Sequence, residues 1–241
     1  MNALAVIPAR YASERLPGKP LARIGERTLV QRVYEAAIAC PHFDRVVVAT
    51  DDERVADCVR SFGGTVALTS SSHRSGTDRV AEVAERHPDA DVAVNVQGDQ
   101  PFVSVEQLTA LMRPYLDGDS PPMTTLACPL GHGLDPNDPG VVKVVRDRRG
   151  RALYFSRSPI PFGEGDFLHH LGLYAFRRDA LREYSGLQET ELEVRERLEQ
   201  LRALEHGMEI MVCVTPEPVL EVNTPEDLER ARAAVAGEPA R

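Results

Sequence analysis

The chain has 241 residues, 42 % hydrophobic and 27 % charged, the composition of a folded globular protein with one large domain or two small ones. Its net charge of −9 leaves no basic face for broad nucleic-acid binding, and no stretch reaches the roughly 20 apolar residues of a membrane span. Cys40, Cys58, Cys128 and Cys213 lie far apart, without a CxxC pair or a Cys/His cluster, so they read as reduced thiols. With no signal-peptide pattern at the N-terminus, the expected location is the cytoplasm.

The first half alternates. "LAVIPA" reads as a buried strand and "TLVQRVYEAAIAC" as an amphipathic helix. "RVVVAT", "TVALT" and "DVAVNV" continue as strands, with helices "DERVADCVRSFG" and "GTDRVAEVAERH" between them. Such alternation predicts βαβ units and a Rossmann-like, mostly parallel sheet with helices on both faces. The second half is less regular. "PPMTTLACPL", "VVKVVRD", "RALYFS" and "HHLGLYAF" read as strands in hairpin-like succession, which suggests an antiparallel arm at about 151–176. "TELEVRERLEQLRALEHG" reads as one helix, opened by a Thr190/Glu193 capping box and stopped by Gly207. Glu193 is thus expected as a cap rather than a ligand. A strand "EIMVCVT" and a last helix follow, the helix with Thr224 as N-cap and Pro225 at its first position. The tail "GEPAR" is expected to fray. Residues 1–241 are expected to form a single domain with the arm embedded in it.

The loop after the first strand holds Arg10, Arg15 and Lys19 with Ser13, Gly18 and two prolines. Three cations on a loop of constrained shape, in an acidic chain, point to a small anionic ligand. Open α/β sheets bind ligands beyond the carboxyl ends of their strands, where this loop lies. Neither GxGxxG nor GxxxxGK[ST] occurs, so the cations and backbone N–H groups would hold a triphosphate in another way. Asp99 follows Gly98 just past the fourth strand. A carboxylate beside a phosphate loop suits Mg²⁺, which takes oxygen ligands and shares them with substrate phosphates. His169 and His170 are neighbours on a strand and face opposite ways, so they do not read as a metal pair.

Over nearly its whole length the chain resembles the 3-deoxy-manno-octulosonate (Kdo) cytidylyltransferases. The resemblance rests on "IPARYAS" and "RLPGKPL", "VVVATDDERVA", "HRSGTDRVAEV", "VNVQGD", "VVKVV", "ALYFSRSPIP", "HLGLYAF", "LEQLR" and "TPEDLER". It implies a fold of the nucleotide-diphospho-sugar transferase type, a homodimer built on the arm, and transfer of CMP from CTP to an acidic sugar with release of diphosphate. By the same resemblance Arg10, Ser13, Arg15 and Lys19 hold phosphates, while Ser75 and Arg79 lie where cytidine is read. Asp99 and the position of Asn223 take Mg²⁺, and Gln97, Arg157, His170, Tyr174 and Gln200 line the acid-sugar site. The chain departs from the family pattern at Gln100, Asn223 and His169, and it lacks the arginine expected after "IP" in "IPFGEGD". At Asn223 the family's aspartate is missing, so Asn223→Asp is expected to restore a charge. These departures leave open a different acid acceptor, such as another 3-deoxy-2-keto sugar acid or a phosphonic acid, or a catalytically weak nucleotide-binding relative.

Overall fold

The computed structural model describes residues 1–13, 15–131, 134–163 and 165–236. The tail expected to fray, at 237–241, and Glu164 of the arm lie outside the described residues. The chain divides into two compact units, Met1–Val105 with Val219–Arg241, and Glu106–Pro218.

In the first unit β1 (Ala3–Pro8) is buried along nearly all its length, as an apolar run in a sheet covered on both faces must be. A short hairpin, β2 (Arg23–Ile24) and β3 (Arg27–Thr28), precedes α1 (Leu29–Ala39). Thr28 caps α1 by accepting the Gln31 N–H at 3.3 Å, and Leu29, Val30, Val33, Tyr34 and Ala37 form its buried stripe. Then follow β4 (Arg45–Thr50), α2 (Glu53–Ser61), β5 (Val66–Leu68), α3 (Gly76–Glu85) and β6 (Val92–Asn95). The strands run parallel in the order β6-β1-β4-β5. The chain therefore steps outward from β1 through β4 to β5, then returns to the other side of β1. With right-handed crossovers this reversal puts α3 on the face opposite α1 and α2. The reversal falls between β1 and β6.

The second unit comprises α4 (Val105–Asp117), β7 (Met123–Pro129), β8 (Lys143–Arg146), β9 (Ala152–Ser156), β10 (Leu168–Arg177), α5 (Arg178–Gly186), α6 (Glu191–Glu196), α7 (Gln200–Glu205) and β11 (Ile210–Val214). β7 pairs with β11 in parallel and with β10 antiparallel, while β8 pairs antiparallel with both β10 and β9. The arm is thus antiparallel, as expected. α8 (Pro225–Val235) then rejoins the first unit, capped by Thr224 with Pro225 in its first turn.

Two helices and one break depart from the sequence expectation. α4 buries Leu108, Leu111, Met112 and Tyr115 at helical spacing, although Pro114 inside it reads as an interruption. α5 buries Ala180, Leu181 and Tyr184. The single helix expected over 190–207 is two, because Arg197 adopts the left-handed region at φ 55°. No disulfide joins the four cysteines, and among the described residues no helix is long and apolar enough to cross a membrane.

Candidate active site

Ligands of open α/β sheets sit beyond the strands' carboxyl ends where strand order reverses. Here that point is the end of β1 and β6. The turn after β6 passes so close to β1 that a Cβ on Gly98 would lie 2.3 Å from the Pro8 carbonyl oxygen. This approach brings Asp99 beside the loop that follows β1. Lys19 Nζ donates to Asp99 Oδ2 at 3.0 Å and to Asn223 Oδ1 at 3.2 Å. The Val222 N–H donates to the Asp99 carbonyl at 2.9 Å, tying the segment before α8 to the same turn. Lys19, Asp99 and Asn223, chosen from distant parts of the sequence, therefore meet.

The cationic loop folds around Tyr11. Its carbonyl accepts the N–H groups of Ser13 and Gly18, each at 3.0 Å, and the Arg54 guanidinium lies 3.4 Å from its ring centroid. Gly18, at φ 70°, turns the chain into the short 3-10 turn Lys19–Leu21. Arg10 Nη2 donates to the His73 carbonyl at 2.9 Å, and Arg15 is exposed.

Ser75 and Arg79, expected where cytidine is read, each also serve the fold. The Ser75 hydroxyl is the N-cap of α3 and accepts the Asp78 N–H at 3.1 Å. Arg79 is almost wholly buried. It donates to Thr69 Oγ1 at 2.7 Å, the Ser70 carbonyl at 3.1 Å and Asp51 Oδ2 at 2.7 Å. It ties together the residues that follow β4 and β5. Gln97 is half-buried, two residues beyond β6.

Glu221 was missed by sequence reasoning. Its two oxygens accept Gln100 Nε2 at 3.2 Å and Asn223 Nδ2 at 3.1 Å. Burial, and then the charge of Asp99, push its carboxyl up to about 7. The available signal was a lone acid in the apolar stretch "PVLEV".

Asp99 Oδ2 and Asn223 Oδ1 converge on one point of positive charge, and both are hard oxygen donors of the type magnesium takes. The residues fit that ion. Among the described residues no group of three or more His, Cys, Asp or Glu could hold a metal, so remaining ligands would come from substrate and water.

In the second unit His170, Tyr174 and Gln200 gather. The rings of His170 and Tyr174 lie 5.6 Å apart, and the Tyr174 hydroxyl donates to Gln200 Oε1 at 3.0 Å. Gln200 Nε2 is a buried donor without a partner among the described residues. Arg157 does not offer an open guanidinium. It donates to the carbonyls of Glu196 at 2.8 Å, Pro139 at 2.7 Å and Arg197 at 3.2 Å. Two of these are the carbonyls freed where α6 ends, so Arg157 caps that break. Glu193 caps α6 as expected, accepting the Thr190 N–H at 3.3 Å, and it also holds Arg202 through both oxygens.

The tautomer of His170 follows from its neighbour. The Thr125 hydroxyl has one proton and donates it to the Leu173 carbonyl at 2.7 Å. His170 Nε2, 2.9 Å from Thr125 Oγ1, must then be the donor, and Nδ1 is the ring's acceptor. Burial, with His169 adding to it, lowers the His170 pKa from 6.5 to about 3. The native ring stays neutral while the unfolded ring protonates. The resulting stability is full above the unfolded pKa and is lost as pH falls towards the folded one. About 2 kcal/mol should disappear between pH 7.5 and pH 5. Urea titrations should show that loss in the wild type and a flatter slope in His170→Asn. Equal slopes would mean the ring is not held neutral.

A parallel sheet with its order reversed at β1/β6, with a cationic loop and a carboxylate at that point, has the layout of an α/β fold that binds an anionic ligand beyond its strand ends. Comparison with known proteins takes this further. The family profile described as "Cytidylyltransferase" matches residues 4–210. The chain is 58 % identical over 236 residues to the 3-deoxy-manno-octulosonate cytidylyltransferase of Acaryochloris marina, covering 96 % of each chain. It is 54 % identical over 235 residues to the enzyme of the same name from Synechococcus elongatus, covering 95 % of this chain and 96 % of that one. Among solved structures, CMP:2-keto-3-deoxy-manno-octonic acid synthetase complexed with CTP superposes with a TM-score of 0.94 at 41 % identity, covering 99 % of this chain and 100 % of that one. The chain belongs to the cytidylyltransferase family, among the 3-deoxy-manno-octulosonate cytidylyltransferases.

Proposed function

We propose that this chain transfers CMP from CTP to the anomeric hydroxyl of 3-deoxy-manno-octulosonate, with release of diphosphate. The acceptor oxygen forms a bond to the α-phosphorus as the bond from that phosphorus to the β-phosphate oxygen breaks. The observation that carries this is the Lys19 ammonium held by Asp99 and Asn223 at the β1/β6 reversal, beside a loop with two further arginines. Such a transfer depends on positioning and on stabilising the charge that develops on the leaving diphosphate. Arg10, Ser13, Arg15 and Lys19 supply the donors. Ser75, at the N-terminus of α3, would contact the cytidine, and Arg79 would act there by fixing the strand ends through Asp51. His170 offers an acceptor and Gln200 a donor to the acid, with Tyr174 orienting Gln200. Gln97 lies just beyond β6 as a further polar contact.

Asp99 and Asn223 would hold Mg²⁺, which when bound neutralises phosphate charge. The reaction is assigned to the cytoplasm. Two copies associate through the arm, where Leu153 and Phe162 are exposed apolar side chains.

A second acceptor is favoured by one observation. Arg157, expected to grip the sugar's carboxylate, spends its guanidinium on backbone carbonyls. Diphosphate release from CTP and Mg²⁺ therefore has to be measured across Kdo, other 3-deoxy-2-keto acids and phosphonates. Kdo should give the fastest release, CTP should outpace ATP, GTP and UTP, and light scattering of the same preparation should give a dimer. Release with a phosphonate alone would assign the second acceptor. No release with any acid would leave a nucleotide-binding relative without this activity.

A further inference from the structure

We propose that Glu221 is a positioning residue of this site: its two oxygens take one N–H each from Gln100 and Asn223, which fixes the Asn223 amide with its oxygen on Lys19. An amide has one accepting end and one donating end, and an ammonium only donates. Asn223 lies between the Lys19 ammonium, 3.2 Å from Oδ1, and the Glu221 carboxyl group, 3.1 Å from Nδ2. Turning the amide over would set donor against donor on one side and acceptor against acceptor on the other. Glu221 thus forbids the flip. The backbone leaves little else to move. Val222 N–H is held by the Asp99 carbonyl at 2.9 Å, and the N–H groups of Asn223 and Thr224 are both held by Asp227 Oδ2 at 2.8 Å. Gln100, fully buried, braces the other oxygen of Glu221 at 3.2 Å.

This changes the expectation for position 223. From sequence, Asn223 is a lost charge that Asn223→Asp would restore. In the structure an acid already stands two residues earlier, and Asn223→Asp alone would set two carboxyl groups against each other. Glu221→Gln alone would offer an N–H to a neighbour that itself offers one. In the double variant the introduced amide donates to the introduced carboxylate, while its oxygen still accepts from Gln100 Nε2. The bond between positions 221 and 223 is then remade with donor and acceptor exchanged, and the bonds from Gln100 and Lys19 keep their direction.

The catalytic consequence rests on the proposed CMP transfer, so the test includes measurements that do not need it. Wild type, E221Q, N223D and E221Q/N223D are compared by calorimetry, by EPR titration with Mn²⁺ alone, and by kcat and KM for CTP in diphosphate release. Each single change should lower Tm and reduce kcat about tenfold, with a smaller change in KM. E221Q should weaken Mn²⁺ binding. The double variant should recover Tm and bring kcat within about threefold of wild type. Additive losses in the double variant, or single variants that match wild type, would overturn the proposal. A wild type that releases no diphosphate would remove the CMP-transfer reading, and the Tm cycle would still decide the role of Glu221.

Discussion

Asp99→Asn should lower kcat/KM by a hundred- to a thousandfold, the usual loss when one preorganised electrostatic group is removed from an active site. The substitution keeps the shape of the side chain and removes only its charge. Asp99 is the carboxylate that Lys19 Nζ contacts, at 3.0 Å, with both side chains partly open to water. Without that charge the ammonium meets only neutral amide oxygens, and the charge that would hold a divalent cation beside the phosphates is gone. Stability should change little. The pair is partly exposed, and such pairs contribute on the order of 1 kcal/mol or less. The Asp99 carbonyl, which holds the Val222 N–H, is untouched. Diphosphate release and a urea titration on the same preparation separate the two effects. A variant within threefold of wild-type activity would show that Asp99 serves only to hold the loop.

The parallel half of the fold could be read from sequence because each strand there is an uninterrupted apolar run and each helix carries its own cap. Ser75 and Asp78, or Thr224 and Asp227, announce a helix start locally. What could not be read depends on distant partners. Nothing local says that Arg197 takes a left-handed conformation. The carbonyls beside it are satisfied by Arg157, 40 residues away. Residue type alone also did not show how Arg157 and Arg79 are held. Arg157 was expected at the acid-sugar site and Arg79 where cytidine is read, and both guanidinium groups donate to the protein's own oxygens. Lys19, Asp99 and Asn223 were legible through the resemblance, and their meeting follows from the strand reversal. Glu221 was not, because its role exists only once Gln100 lies beside it across 121 positions of sequence.

Gly98 shows how a residue without a side chain sets the geometry. In the sequence it reads as a turn former. Its φ is not in the left-handed region that would demand glycine, so conformational freedom is not the reason for it. The reason is room: a Cβ would meet the Pro8 carbonyl oxygen at 2.3 Å, closer than any tolerated contact. β1 cannot move aside, since it is paired along its length with β4 and β6. In Gly98→Ala the turn must therefore give way, and it carries Asp99 and, through the Val222 N–H, the segment holding Asn223. A displacement of about 1 Å at reacting groups costs on the order of a hundredfold in rate. Overpacking of this kind also destabilises by about 1–3 kcal/mol. Gly98→Ala should thus lose about a hundredfold in kcat/KM and show a lower urea midpoint. Gly186→Ala, where an added Cβ meets nothing within 4 Å, should match wild type in both. If Gly98→Ala lost stability but kept its turnover, the close passage of this turn past β1 would be a packing feature, and the placement of Asp99 would not depend on it.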